Sequence, residues 1–338
     1  MDSITQLGLG AAVTVAAMGR RTAVWKAALW GGIAGTLPDL DAFIDHGNAV
    51  ANMTYHRAES HSLFWLTLAS PVLAALVSRA AGETDRFRRW WLALWLALVT
   101  HPLLDTLTVY GTQLLLPFTD HPFGVGSIFI IDPLYTLPLL AGVAVAIARG
   151  RGRDHGGLRW NAGALALTTA YLAWGVVVQA QVRALAQDTL AAAGRPAQRL
   201  LVTPTPFNTL LWRVVAMRED GYEEGFRSLL DEGRTLRFER FPTDRALERE
   251  LSGLWPVQRM RWFTHGFYKV HRDDDRASIA DLRMGQEPNY SFDFRVARRE
   301  DGQWAPEPAR NHGSRGDVGA GLRWLWRRML GEDLPPPR

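Results

Sequence analysis

Cysteine is absent from the 338 residues. Disulfides and thiolate metal ligands are therefore excluded, and any metal must rest on His, Asp and Glu. The chain also lacks internal repeats, low-complexity tracts and blocks of a single charge. It has no Gly-x-Ser-x-Gly nucleophile elbow, which sets serine hydrolysis aside. A net charge of +4 with no nucleic-acid motif gives no reason to expect a nucleic-acid partner. The N-terminal segment is not expected to act as a secretory signal either. Asp2 stands where a basic region would, and Arg20 and Arg21 follow the apolar stretch 4–18 instead of preceding it, so that segment is expected to be retained.

Charge is scarce in one half only. Residues 1–182 hold 23 charged side chains, and 183–338 hold 49. A charge-poor half before a charge-rich one reads as membrane followed by water. Four stretches, 62–80, 90–116, 128–148 and 160–182, are apolar enough to cross a bilayer, which takes about 20 residues. Two shorter ones, 4–18 and 23–37, suit a helical hairpin. The expected fold is an N-terminal all-α polytopic membrane bundle over 1–182, with about four to six membrane helices. A soluble α+β domain is expected over 183–338. There, alternation puts Phe292, Phe294 and Val296 on one face of a strand over 291–297. Further strands are expected over 209–216 and 261–270, and helices over 181–193 and 322–330.

Basic residues alternate between loops. Arg20, Arg21 and Lys26 form one group, Arg86, Arg88 and Arg89 a second, and Arg149, Arg151, Arg153 and Arg159 a third. Segments 38–61 and 117–127 carry only Arg57 among several acids. Since positive loops face the cytoplasm, these two segments and the tail are expected on the periplasmic side of a bacterial inner membrane. Trp90, Trp91, Trp95 and Trp160 suit a belt at the inner interface.

Three groups of chemistry-bearing residues fall in or beside the outward segments. The first is Asp39 and Asp41, with Asp45 and His46 just after. Gly35 and Pro38 suit a helix stop with a solvated turn, while two carboxylates at i, i+2 equally suit a cation. The second is His56, Arg57, Glu59 and His61. On one helix the two imidazoles would be about 140° apart, so both reach one metal only if the segment bends. Here Glu59 is a candidate general base or further ligand and Arg57 a candidate clamp for an anionic group, against the plainer reading of a polar interfacial loop. The third is His101 and Asp105, at i, i+4 inside an apolar stretch where ionisable groups are costly. The alternative there is a structural pair joining two helices. Asp120 and His121 read as turn chemistry, with contact to substrate as the alternative, Asp132 forms the same weaker tier, and His265 and His271 read as ordinary surface or packed residues.

The stretches GTLPDLD (35–41), HRAESHSLFW (56–65) and HPLLDTLTVYGTQLLLPF (101–118), in this order, resemble the bacterial membrane-bound metal-dependent hydrolase family. This is the YdjM-like group, which includes a LexA-regulated member, and the resemblance covers about residues 1–150. It implies an inner-membrane helical protein with a metal centre at Asp39, Asp41, His56, His61, His101 and Asp105. A more distant similarity to zinc-dependent phospholipase C and related nucleases implies phosphoester chemistry. One departure stands out: many relatives carry His near Thr5-Gln6-Leu7, where Gln6 is a poor ligand, so this chain either lacks one ligand of that pattern or uses Asp45 or His46 instead.

The resulting expectation is a membrane-bound hydrolase using a divalent ion, zinc first, with manganese or magnesium as alternatives. Its partners would be the lipid bilayer and a small-molecule or lipid-linked phosphoester. The rival is a non-enzymatic membrane protein, a transporter or scaffold, using the His/Asp residues structurally.

Overall fold

The computed structural model describes residues 1–150, 156–233 and 235–338. Arg151 and Arg153 of the third basic group lie outside the described residues. Seven helices come first: α1 Ser3–Met18, α2 Val24–Thr36, α3 Ala49–Tyr55, α4 Leu63–Ala80, α5 Phe87–Thr106, α6 Pro133–Arg149 and α7 Gly156–Ala192. The chain divides into two units. One comprises Met1–Ile44, Arg57–Val176 and Pro206–Asn208; the other comprises Asp45–His56, Val177–Thr205 and Thr209–Arg338.

The first unit is helical. Asp2 caps α1 by accepting from the backbone N–H of Ile4 and Thr5. Leu9, Ala12, Val15 and Met18 of α1 pack with Ala27 of α2, Trp90 and Leu94 of α5 and Leu139 of α6. Glycines let α1 and α2 touch backbone to backbone: a Cβ on Gly35 would stand 2.5 Å from the Gln6 carbonyl and 3.0 Å from the Gly10 Cα. At the same end of the core, α5 stops at Thr106. Its last carbonyls are taken by an incoming loop, with Val125 N–H donating to Thr106 O and Ser127 N–H to Leu107 O.

The expectation of four to six membrane helices is overturned. Among the described residues two helices, α4 and α7, are long and apolar enough to cross a membrane. Only 28% and 22% of their apolar windows are buried, so most of each apolar surface is exposed. The other segments fail for physical reasons. Helices α1 and α2 have 16 and 13 residues, and at 1.5 Å per residue neither covers the roughly 30 Å of a hydrocarbon core. The stretch 90–116 is not one helix, because α5 ends at Thr106 and irregular chain follows. Helix α5 also carries Arg88, Arg89, His101 and Asp105. Helix α6 is apolar but has 17 residues.

The second unit holds two four-stranded antiparallel sheets. The first is a meander of β1 Arg199–Pro204, β2 Leu211–Arg218, β3 Gly221–Ser228 and β4 Phe238–Pro242. Val178, Val182 and Ala186, on the end of α7, pack against its Val202, Trp212 and Val214. Two short helices follow, α8 Arg245–Leu251 and α9 Trp255–Phe263. The second sheet uses β5 Tyr268–Asp273, β6 Arg276–Asp281, β9 Asp293–Glu300 and β10 Gln303–Asn311, in the order β10-β9-β6-β5. A small hairpin, β7 Gly285–Gln286 and β8 Asn289–Tyr290, interrupts it, and α10 Val318–Met329 comes last. The strand expected over 261–270 is corrected. Its start completes α9, whose Val257, Met260 and Phe263 are buried at helical spacing, and β5 begins only at Tyr268.

Candidate metal centre

Each donor is delivered by a local feature of the chain. Helix α2 ends before Pro38, and residues Pro38–Phe43 turn as a 3-10 helix. At about 120° per residue in such a turn, i and i+2 point in different directions. Asp39 and Asp41 accordingly part company. His61 closes a second 3-10 turn, Glu59–His61, just before α4. His101 and Asp105 sit one turn apart on the buried face of α5.

The four residues Asp39, His61, His101 and Asp105 bring one donor atom each to within 4.8 Å of one another. His61 Nε2 lies 3.1 Å from His101 Nε2. Asp39 Oδ1 is 3.5 Å from both nitrogens, and Asp105 Oδ2 is 3.3 Å from His61 and 3.4 Å from His101. A tetrahedron with bonds of about 2.0–2.1 Å has edges of about 3.3–3.4 Å, so five of the six edges match that figure closely. His61, His101 and Asp105 are fully buried, while the Asp39 side chain is 17% exposed.

Hydrogen bonds settle the tautomers. His101 Nδ1 must donate to the Gly35 carbonyl at 2.6 Å, because a carbonyl only accepts. Ser60 Oγ donates to Asp41 Oδ2 at 2.5 Å and so accepts from His61 Nδ1 at 2.8 Å. Both Nε2 lone pairs thus face inward beside two carboxylate oxygens. Asp105 Oδ2 is buried with no hydrogen bond of its own. Four acceptor atoms converge here, and imidazole with carboxylate suits zinc-type chemistry.

Without a metal, protons answer the same need. Burial opposes a charged His61, but hydrogen bonds to Asp105, Asp39 and Asp41 outweigh it and raise its pKa to about 9. Burial likewise opposes ionised Asp39, and hydrogen bonds to His101 and His61 outweigh it, holding that carboxyl well below the usual range.

The remaining residues singled out from sequence take other places. Asp41 supports rather than joins the four: it accepts from Ser60 and from the Arg57 backbone N–H at 2.9 Å, with His61 Nδ1 3.5 Å away. Arg57 is buried at a positive φ of 65°. Its Nε stands 3.2 Å from Asp105 Oδ2, its Nη1 donates to Thr108 Oγ1 at 3.3 Å, and its guanidinium lies over Tyr110. Glu59 is exposed and outside the four. His56 follows α3 and belongs with it to the second unit. Asp45 and His46 belong to that unit too, where Asp45 accepts from Gly47 N–H and Asn52 Nδ2. Gln6 has a different task from a ligand: its Nε2 donates to Asp105 Oδ1 at 3.0 Å and to His101 O at 3.3 Å. The Met1 amino group also bonds Asp105. Asp132 caps α6 and accepts from Tyr171 OH. Ser60 and the Gly35 carbonyl were not singled out from sequence. A backbone acceptor leaves no residue-type signal, and a serine beside a histidine is too common to be one.

The helical half has known relatives. A family model described as "YdjM inner membrane protein" matches residues 1–182, more than half of the chain. The chain belongs to the YdjM inner membrane protein family. A curated relative, described as "Uncharacterized protein YfhP", comes from Bacillus subtilis (strain 168). It is 32% identical over 117 residues, which is 33% of this chain and 34% of that protein. The similarity therefore spans about a third of the relative's length. No solved structure matches. The YdjM assignment covers all four donors of the centre and stops before the first sheet begins at Arg199.

Proposed function

We propose that this YdjM-family protein is a membrane-bound metal-dependent hydrolase acting on a phosphoester, lipid-linked or presented at the membrane surface. The observation that carries the reading is the near-tetrahedral set of inward-facing acceptors on Asp39, His61, His101 and Asp105. When bound there, a divalent ion, zinc first, supplies Lewis acidity that lowers the pKa of water and polarises a phosphoryl oxygen.

The chain's own residues would do the rest. Gly35 O and Ser60 Oγ hold the two imidazoles by Nδ1, keeping Nε2 free. Arg57 offsets the buried charge of Asp105. Committed in this way, Arg57 acts on substrate only through the field it adds near the centre. Asp39 is the one donor with solvent access and marks the side from which substrate approaches. On the same turn Phe43 is 86% exposed, with Leu40 and Ile44 exposed beside it. Such an apolar rim next to a polar centre fits a lipid tail with its headgroup at the metal. Glu59, two residues before His61 and exposed, would carry the proton. Arg86, Arg88 and Arg89 after α4, and Arg149 and Arg159 at the start of α7, support an orientation with those ends of the two candidate spans in the cytoplasm, which puts His61, just before α4, and the tail from 183 onward on the periplasmic side.

The test is hydrolysis of a panel of phosphoesters, soluble and lipid-linked, by detergent-purified protein with and without zinc. Metal-dependent turnover abolished in His101→Ala and reduced in Glu59→Gln supports the reading. A second reading has one observation behind it: four protein donors complete a tetrahedron, as in structural zinc sites. It predicts a tightly held ion that raises the melting temperature with no turnover on any substrate. Reporter fusions after Arg88 and after Ala192 test the orientation, with the first cytoplasmic and the second periplasmic.

A further inference from the structure

The second unit carries a separate group of imidazoles and a carboxylate, outside the residues the family model matches. His271 lies on β5, Asp293 begins β9, and His312 follows the last residue of β10. Sheet pairing brings them together from three strands. His271 Nε2 is 3.0 Å from both oxygens of Asp293. His312 Nε2 is 3.5 Å from Asp293 Oδ1 and 3.1 Å from Ser278 Oγ on β6. The backbone beneath is fixed: His312 N–H donates to Asp293 O at 2.9 Å, and Asp293 N–H donates to Asn311 Oδ1 at 3.1 Å.

We infer that His271, Asp293 and His312 form a second metal site, for a late first-row divalent cation of which zinc is the reference case. Two imidazoles and one carboxylate on separate strands make a ligand set that leaves at least one position open to solvent. The nitrogen–oxygen separations of 3.0 and 3.5 Å bracket the donor–donor edge of about 3.3–3.4 Å in a zinc site. The ring centroids stand 6.4 Å apart, so a shared ion requires the two rings to turn toward each other. Both rings have room to turn, His271 being 32% and His312 27% exposed. Arg295, two residues along β9, stands 3.8 Å from Asp273, and that carboxylate offsets its charge near the site.

The experiment uses full-length, detergent-purified protein stripped with chelator and equilibrated in zinc-buffered solution, with bound zinc measured by elemental analysis. His271→Ala/His312→Ala is expected to bind one equivalent less than the parent. Asp39→Asn/His101→Ala, which breaks the helical centre instead, is expected to keep that equivalent. Retention of full stoichiometry by the first variant, or its loss by the second, overturns the inference whether or not the helical centre is an enzyme. A measurement on the unaltered protein guards against misfolding of variants. Zinc should shield His271 and His312 from diethylpyrocarbonate, read by peptide mass spectrometry; equal labelling with and without zinc refutes the site.

Discussion

Asp39→Asn probes the centre with least collateral damage. The substitution keeps the shape of the side chain, removes one anionic donor, and strikes the only one of the four that reaches solvent. Asp105 is a poorer probe, because neutralising it strands the buried Arg57 beside it. A four-ligand zinc site is worth about 10–16 kcal/mol, or roughly 3–4 kcal/mol per ligand, so Asp39→Asn should weaken zinc binding by about 10²–10³-fold. Asp41 is not among the four and reaches the centre through Ser60, the Arg57 backbone and the outer side of the His61 ring, and a loss of about 10–100-fold is expected for Asp41→Asn. His56→Ala, outside the four, should leave affinity within about twofold. Competition of purified protein against a calibrated zinc chelator gives all three values. The ranking is what matters, since the sequence motifs place all three residues in one ligand set. If His56→Ala weakens binding as much as Asp39→Asn, or if Asp39→Asn binds like the parent, the tetrahedral assignment is wrong.

Other expectations follow from the same geometry. His61 has its pKa raised from 6.5 to about 9, so the stabilisation it gives the metal-free protein is complete below pH 6.5 and lost as pH rises through about 9. That shift corresponds to about 3 kcal/mol. Zinc affinity should move the opposite way, rising about tenfold per pH unit up to about 9 for the proton displaced; isothermal titration from pH 6 to 9.5 checks both slopes. Gly35→Ala puts a methyl group 2.5 Å from the Gln6 carbonyl, and the forced separation of α1 from α2 should cost about 1–3 kcal/mol. It should also shift the carbonyl that holds His101, so a lowered melting temperature accompanied by weaker zinc binding is expected. Gln6→Ala removes the donors to Asp105 and His101 O without removing a ligand, and about a tenfold loss of zinc affinity is expected by chelator competition.

Much of the centre was legible in the residue order. His101 and Asp105 at i, i+4 share a helix face whatever the rest of the chain does, and an ionisable pair in apolar surroundings asks for a partner. Local spacing was less informative at 39–41 and 56–61, where turns replace helix. Membrane helices were over-counted because apolar content alone does not give length. The run 90–116 is interrupted when α5 ends and the loop carrying Val125 and Ser127 takes its terminal carbonyls. In the tail, alternation located β9, while the aromatic residues of α9 imitated a strand.

By itself, the sequence determined the donor chemistry. Without cysteine, a centre has only imidazoles and carboxylates to use, and those of the helical centre come from three short stretches. Tertiary structure alone decided which of them meet. A 3-10 turn separates Asp39 from Asp41, and a left-handed Arg57 follows His56 where the chain passes between units. Such turns take their form from long-range contacts, the Gly35 carbonyl on His101 and Asp41 on Ser60 and Arg57, which no local pattern encodes.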